Sequence, residues 1–404
     1  MAPTPTHASP GTASEAVRGE APPLRLLRLR SSSHVYGPER GFLEQAIPLR
    51  EAGIDTELAV LYRRNAGGPH VHPIVVAGPQ SGLPVHQLPD AWRVSPGAAL
   101  RVAALLHRGR FDLLQTHGYK ANLLGLLATK LTRRPLVAVL HGLFTGASWR
   151  LQRYENLDFR VLRRFDLLVA VSEFERTRVL AHGLPARRLA TVHNSIDVRA
   201  FAQRARQPAD LAELGLPPGA SLVAIIGRLD PLKDHATFLT AAARVAQERP
   251  GTRFLVVGDG PLRDELAARA RDLGIAASVH FLGYRNDCPA LIGRADLVVL
   301  SSVAEPFGYV LVEAMAAARP VVATLAGGAP EIVEDGRTGL LVPPAAPDAM
   351  AAAMLRILSN RDLASEWGEA GRRRAERLFD VRAAAPRLAR LYRAVAAGAP
   401  PPAA

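Results

Sequence analysis

The stretch Leu222-Val223-Ala224-Ile225-Ile226-Gly227-Arg228-Leu229-Asp230-Pro231-Leu232-Lys233-Asp234-His235 reads as a buried strand that ends at a glycine, turns between two cations and enters a helix. A helical pattern over 235–248 and a second apolar run over 253–257 complete a parallel strand–helix–strand unit. The rhythm continues downstream, with strands predicted over 279–282, 296–300, 321–324 and 339–342 and helices over 262–273, 310–317 and 348–358. Upstream it predicts strands over 24–29, 56–61, 112–115, 136–140 and 167–171 and helices over 41–52, 98–108, 119–131 and 150–163. Short β-type runs alternating with helices of this length are the mark of α/β architecture, parallel sheets covered on both faces.

At 404 residues and 48% apolar content, the chain can fill two domain cores. Residues 1–23, rich in Ala, Pro, Thr, Ser and Gly, carry too few large apolar side chains to offset ordering entropy and read as a disordered tail. Residues 204–219, with Pro208, Pro217, Pro218 and Gly219, form a hinge, which divides the remainder into domains at 24–205 and 206–380. No run of 18 apolar residues occurs, and the first 23 residues lack both a basic start and an apolar segment, so neither a membrane span nor secretion is expected. The single cysteine, Cys288, excludes an internal disulfide and cysteine-rich zinc sites and fits a reducing cytoplasm.

Net charge is +13, and residues 1–205 hold 27 Lys+Arg against 15 Asp+Glu while the rest is nearly balanced. Only Lys120, Lys130 and Lys233 are lysines, against 47 arginines. Codon bias accounts for arginine replacing lysine, but not for the scarcity of acids in one half. The asymmetry points the first half at something anionic, membrane lipid or an acidic substrate. Nucleic acid is not an expected partner.

The sharpest constellation is Glu305-Pro306-Phe307-Gly308-Tyr309-Val310-Leu311-Val312-Glu313. Pro306 biases Glu305 toward an extended conformation at a strand's C-terminal end. The helix begins just beyond, so the amides from about Phe307 to Val310 lack intrahelical acceptors and can meet sugar hydroxyls or phosphate oxygens. Glu313 follows roughly 8 Å further along, at about 1.5 Å per residue. Two carboxylates so spaced can grip the ends of one elongated ligand, each accepting from vicinal hydroxyls. Gly227 permits close backbone approach, and Arg228 and Lys233 beside a helix start suit a diphosphate. His117-Gly118 and His141-Gly142 each follow a first-domain strand, where a neutral imidazole can bond a hydroxyl and a protonated one can support a phosphate. Tyr36-Gly37-Pro38-Glu39-Arg40 and Gly327-Gly328-Ala329-Pro330-Glu331 are glycine turns that open onto helices, compatible with phosphate or sugar.

Other chemistries fail on spacing. Gly258-Asp259-Gly260 lacks the third glycine of a dinucleotide fingerprint, no lysine stands in a Walker A loop, no Asp-x-Asp occurs, and histidines are not clustered at ligand spacing. No cofactor and no tightly held metal are expected.

In combination, Glu-x7-Glu, Gly-Arg-Leu-Asp-Pro-x-Lys-Asp-His, Val257-Gly258-Asp259-Gly260-Pro261 and the Gly327–Glu331 turn resemble glycosyltransferase family 4, the retaining group 1 glycosyltransferases. First-domain segments Thr116–Asn122, Leu140–Gly142, Ala170–Glu173 and His193–Asp197 stand in that family's usual order, and the resemblance covers residues 24–395. It implies a GT-B fold: two Rossmann-like parallel-sheet domains face a central cleft, and a last helix over 381–397 crosses back onto the first domain. It also implies that the second domain binds a nucleotide-diphosphate sugar. Arg228 and Lys233 would sit on the diphosphate, Glu313 on the ribose, and Glu305 with the Phe307–Tyr309 backbone on the sugar. His141 would reach the sugar and its phosphate from across the cleft, and Gly37 would approach the phosphate. The first loop departs from the family pattern, with Tyr36-Gly37-Pro38 where a double glycine is common.

Transfer of the sugar to a glycan or lipid-linked acceptor, in exopolysaccharide or lipopolysaccharide biosynthesis, is the function this resemblance favours. A GT-B epimerase or phosphorylase and a non-catalytic anionic-surface-binding module are the alternatives. Membrane association on the cytoplasmic face is read from the basic first half and from residues 150–164, where basic side chains alternate with Trp149, Leu151, Tyr154, Leu157, Phe159, Val161 and Leu162.

Overall fold

The computed structural model describes residues 22–32, 37–62, 71–89, 95–142, 149–209, 211, 214, 216 and 219–402. The tail expected over 1–23 falls outside them except for its last two residues. Thirteen strands are described, in two sheets. The first contains β1 (Leu24–Ser31), β2 (Ile54–Tyr62), β3 (Val85–Pro89), β4 (Leu113–His117), β5 (Leu136–Leu140), β6 (Leu167–Ala170) and β7 (Leu189–Thr191). Its order is β3-β2-β1-β4-β5-β6-β7, every pair parallel. The second contains β8 (Leu222–Ile226), β9 (Arg253–Val257), β10 (Val279–Gly283), β11 (Leu297–Leu300), β12 (Val321–Thr324) and β13 (Gly339–Val342), in the order β10-β9-β8-β11-β12-β13, again all parallel. Both sheets are Rossmann-like. Each reverses direction beside its first strand, at β1/β4 and β8/β11, where the crevice at the strands' C-terminal ends receives ligands.

Helices cover both faces of each sheet, and their buried stripes form the cores. The first unit carries α1 (Gly37–Glu51), α2 (Pro73–Gln80), α3 (Pro96–Arg108), α4 (Tyr119–Thr132), α5 (Trp149–Leu162), α6 (Glu173–Ala181) and α7 (Val198–Ala205). The second carries α8 (His235–Glu248), α9 (Arg263–Asp272), α10 (Cys288–Arg294), α11 (Tyr309–Ala316), α12 (Ala329–Ile332), α13 (Pro347–Leu358) and α14 (Arg361–Leu378). The last helix, α15 (Val381–Ala396), lays Ala384, Leu388, Tyr392 and Val395 into a core shared with Leu26, Leu49 and Ile54 of the first unit. The Tyr392 hydroxyl accepts a 2.8 Å bond from Gln115 Nε2 on β4.

The domain boundary drawn at 205/206 puts α7 with the first sheet, but Val198 and Phe201 belong to the core beneath α10 and α11. Gly293 on α10 approaches α7 so closely that a β-carbon there would meet the Ala205 carbonyl oxygen. In α5, Phe159, Val161 and Leu162 are buried against the first sheet, so of the apolar residues read there as a membrane face only Tyr154 and Leu157 are exposed; the side chains of Trp149 and Leu151 lie outside those described.

Candidate active site

The site grows from the turn after β8. Asp230 Oδ1 accepts from the amides of Leu232 and Lys233 at 3.0 and 3.3 Å, while Oδ2 takes Arg228 Nε at 2.6 Å, so one carboxylate organises both cations. Asp234, at φ +45°, then caps Thr237 N at 3.2 Å and starts α8. The turn after β11 is fastened alongside: Val303 N donates to the Leu232 carbonyl at 2.9 Å and Ser301 Oγ to that of Lys233 at 2.7 Å. This brings Lys233 Nζ to 2.5 Å from Glu305 Oε2, which also accepts from Ser302 Oγ at 3.3 Å.

Gly308, at φ +109°, turns the chain into α11, and Glu313 is that helix's fifth residue. The amides of Phe307, Gly308, Tyr309 and Val310 find no acceptor outside the helix among the described residues. Four backbone donors therefore flank the Lys233–Glu305 pair. Gly327 and Gly328 face the back of this turn rather than forming a separate site. Gly328 N donates to the Glu305 carbonyl at 2.8 Å, and a β-carbon on Gly327 would overlap the same oxygen.

The first sheet contributes from β4 and β5. His117 Nδ1 and His141 Nε2 are 2.8 Å apart, their rings stacked at 5.1 Å, while His117 Nε2 and His141 Nδ1 are buried without partners among the described residues. Burial, reinforced by the field of Arg30, holds His141 at a pKa of about 3; His117 is held well below the usual imidazole value by burial, His141 and Arg28. Of the two forms expected for these histidines, burial favours the neutral imidazole, so His141 offers a neutral nitrogen. Gly142, at φ +87°, lies against Pro306, whose Cγ would be 2.2 Å from a β-carbon there, and Ser172 Oγ donates to the Pro306 carbonyl at 2.7 Å. The two lobes thus meet at the Glu305 loop itself.

Further contacts bridge the cleft. Arg40 of α1 pairs with Glu313 at 3.1 Å; burial raises the Glu313 pKa, opposed by Arg40 and Arg204. Burial and the neighbouring Glu44, Glu313 and Glu39 push the Tyr309 phenol above its ordinary value. Glu331 accepts from the Glu173 and Phe174 amides at 2.8 Å each and pairs with His193 Nε2 at 2.8 Å, so a second-domain carboxylate caps first-domain α6. Gly37 opens α1, but residues 33–36 before it, Tyr36 included, lie outside the described residues. Sequence reasoning missed Asp230, Arg40 and Glu331. Asp230 stood three residues before Lys233, an available turn signal; Arg40 and Glu331 each close a glycine turn noted in the sequence, but nothing there showed that they act across the lobes.

Residues 206–374 match the family model described as glycosyl transferases group 1, and residues 35–200 match that of Glycosyltransferase Family 4. The chain belongs to glycosyltransferase family 4. Among its relatives, the D-inositol 3-phosphate glycosyltransferase of Mycobacterium tuberculosis (strain ATCC 25618 / H37Rv) is 34% identical over 324 residues, covering 74% of this chain and 66% of the relative, just under two thirds of its length. The crystal structure of Anabaena HepE in complex with UDP-glucose superposes on this family 4 chain with a TM-score of 0.74 at 26% identity, over 91% of this chain and 98% of HepE. Sucrose-phosphate synthase from Thermosynechococcus elongatus shares the fold, with a TM-score of 0.75 at 21% identity over 93% and 100% of the two chains. The architecture of this family 4 member is GT-B. No helix among its described residues is long and apolar enough to cross a membrane, and no group of three or more His, Cys, Asp or Glu among them is placed to hold a metal ion.

Proposed function

We propose that this chain is a retaining, metal-independent hexosyltransferase that moves a sugar from a nucleotide-diphosphate sugar to a glycan or lipid-linked acceptor in exopolysaccharide or lipopolysaccharide assembly. The observation that carries this reading is the 2.5 Å Lys233–Glu305 pair beside four unengaged amides at the point where the lobes touch. Arg228 and Lys233 neutralise the diphosphate, Glu313 takes the ribose diol, and Glu305 with the turn amides holds the sugar hydroxyls. As the sugar–phosphate bond lengthens, negative charge grows on the leaving phosphate, where the cations and amides already point, and no reorganisation is needed. His141, neutral, bonds a sugar hydroxyl through Nδ1. No side chain acts as nucleophile: the acceptor attacks from the face the phosphate leaves, and the phosphate takes its proton. The complexes of HepE with UDP and UDP-glucose support a uridine donor.

The assay is turnover of UDP-glucose with and without acceptor, with the anomeric configuration of the product read by NMR. Acceptor-dependent transfer with retained configuration is expected. Inversion, or epimerisation and release of the donor sugar without acceptor, overturns the reading in favour of another activity on the same fold. A small phosphorylated cyclitol is the second candidate acceptor, because the 34%-identical relatives are named for inositol 3-phosphate; acceptor competition distinguishes the two.

The proposed location is the cytoplasmic face of a membrane. The first lobe leaves Tyr119, Leu131, Tyr154 and Leu157 exposed, and most of the chain's positive charge lies in that half. Flotation with vesicles containing anionic lipid should recover more protein than flotation with neutral vesicles, and equal recovery removes the membrane partner.

A further inference from the structure

We propose that a cavity behind the inter-domain linker, away from the cleft, binds a phosphorylated small molecule. The cavity measures about 460 Å³, within the range of ligand pockets, and is lined by α7, the linker residues 206–209, and the C-terminal ends of α10 and α11, with α14 along one side. Four arginines converge on it: Arg206 from the linker, Arg294 at the end of α10, Arg319 just after α11 and Arg372 on α14. Glu369 is the one acid in its described wall. Arg372 is bonded to Glu376 at 3.2 Å, but Arg206, Arg294 and Arg319 form no ion pair among the described residues. A contiguous cavity of about 360 Å³ shares Ala202, Arg206 and Arg372 and adds Arg199, Gln203 and the acid Glu376.

Three guanidiniums that have no carboxylate partner among the described residues line one concavity, and the charge of Arg294 disfavours that of Arg319. The C-terminal ends of α10 and α11 do offer partial negative charge. Yet Arg319 Nε is buried with no acceptor among the described residues, so the helix carbonyls do not satisfy it. Asp296 acts on Arg319 only through its field; its Oδ2 accepts the Leu222 amide at 2.8 Å. A tetrahedral phosphate supplies what is missing, several strong acceptor oxygens on one centre to face several planar forks. The adjoining volume leaves room for the organic part of a phosphate ester. Such a ligand would touch α7, the linker and the second domain together, and would sit at one end of α11 while the Gly308 turn lies at the other, eight residues away.

Calorimetric titration of the full chain with inorganic pyrophosphate and with glucose 6-phosphate at low salt tests this, in a background of Arg228→Ala and Lys233→Ala that silences the cleft. Both probes should still bind at one site, and adding Arg294→Gln and Arg319→Gln should weaken them by about tenfold or more, as expected for lost charge-assisted bonds. Should that protein not fold, Arg206→Gln with Arg372→Gln carries the same expectation. Three results would each overturn the proposal: no binding once the cleft is silenced, affinity within roughly twofold after the arginine substitutions, or an equal loss from the distant pair Arg163→Gln and Arg164→Gln. None of these depends on whether the cleft transfers a sugar.

Discussion

Lys233 is the only lysine after residue 205 in a chain with 47 arginines, and its ammonium meets Glu305 at 2.5 Å with the Gly227 backbone close beside its stem. A compact point charge meets one carboxylate oxygen there, whereas a guanidinium would present its charge as a longer planar fork. Lys233→Ala should cut transfer by about 100- to 1,000-fold, the scale of losing one preorganised charge contact, and Lys233→Arg should recover little of it. Circular dichroism on both proteins separates this from unfolding. His141 makes a second test: with its pKa near 3, its ring resonances in a histidine-labelled NMR sample should stay those of a neutral imidazole from pH 8 down to pH 5. A midpoint near 6.5 would contradict the burial argument. Lys233, Glu305, Arg228 and His141 were legible because each stands one turn beyond an apolar run, where the α/β pattern alone places side chains at a crevice. Arg40 and Glu331 were not, since their partners are 273 and at least 138 residues away in the chain.

Among the elements, all six strands of the second sheet were predicted within about two residues: β8, β9, β11 and β12 are almost wholly buried, and the half-buried edge strands β10 and β13 still carry short apolar runs. In the first sheet β3 and β7 escaped. Both are edge strands, β3 half-buried with His86 and Gln87 in its sequence and β7 only three residues long, so neither shows an apolar run. Short helices were missed for a related reason, α6 burying only Glu175 and Val179 and α2 containing Pro79 and Gly78, and the 18-residue α14, which buries only Trp367, Gly368, Gly371 and Ala375, was missed as well. Helices α4 and α5 carry a polar clamp that no periodicity reports. Asn122 Nδ2 donates to both Asp158 oxygens, at 2.9 and 3.2 Å, while Asn122 Oδ1 accepts from Thr116 Oγ1 at 2.7 Å. Burial raises the Asp158 pKa to about 6 from 3.8. Between these values the folded chain keeps a proton that the unfolded chain releases, so this residue makes stability fall as pH rises from about 4 to 6, by on the order of 2–3 kcal/mol. Asp158→Asn should remove that slope. Thermal midpoints of both proteins across pH 4–7 should therefore diverge toward neutrality, with the variant higher; parallel curves would count against it.

For the molecule as a whole, α15 makes the first domain dependent on the chain's far end. Removing residues 381–404 uncovers Leu26, Leu49 and Ile54 and deprives Gln115 Nε2 of the Tyr392 hydroxyl, an exposed apolar face of a size that drives association. The truncated chain should be recovered as aggregate, whereas Tyr392→Phe alone should stay soluble and lose about 1–2 kcal/mol in denaturant titration. Glu331 has the opposite reach. It accepts the Glu173 and Phe174 amides, so those two donors of α6 are engaged only while the lobes are together, whereas Glu175 N is capped by Ser172 Oγ within the first domain. Parting them strips two backbone donors of their acceptor, so release of spent nucleotide proceeds uphill against a clasp that tends to snap shut again. Turnover in such a molecule is paced by friction with the surrounding liquid: kcat should fall as sucrose or glycerol thickens the buffer, and Glu331→Gln should blunt that dependence.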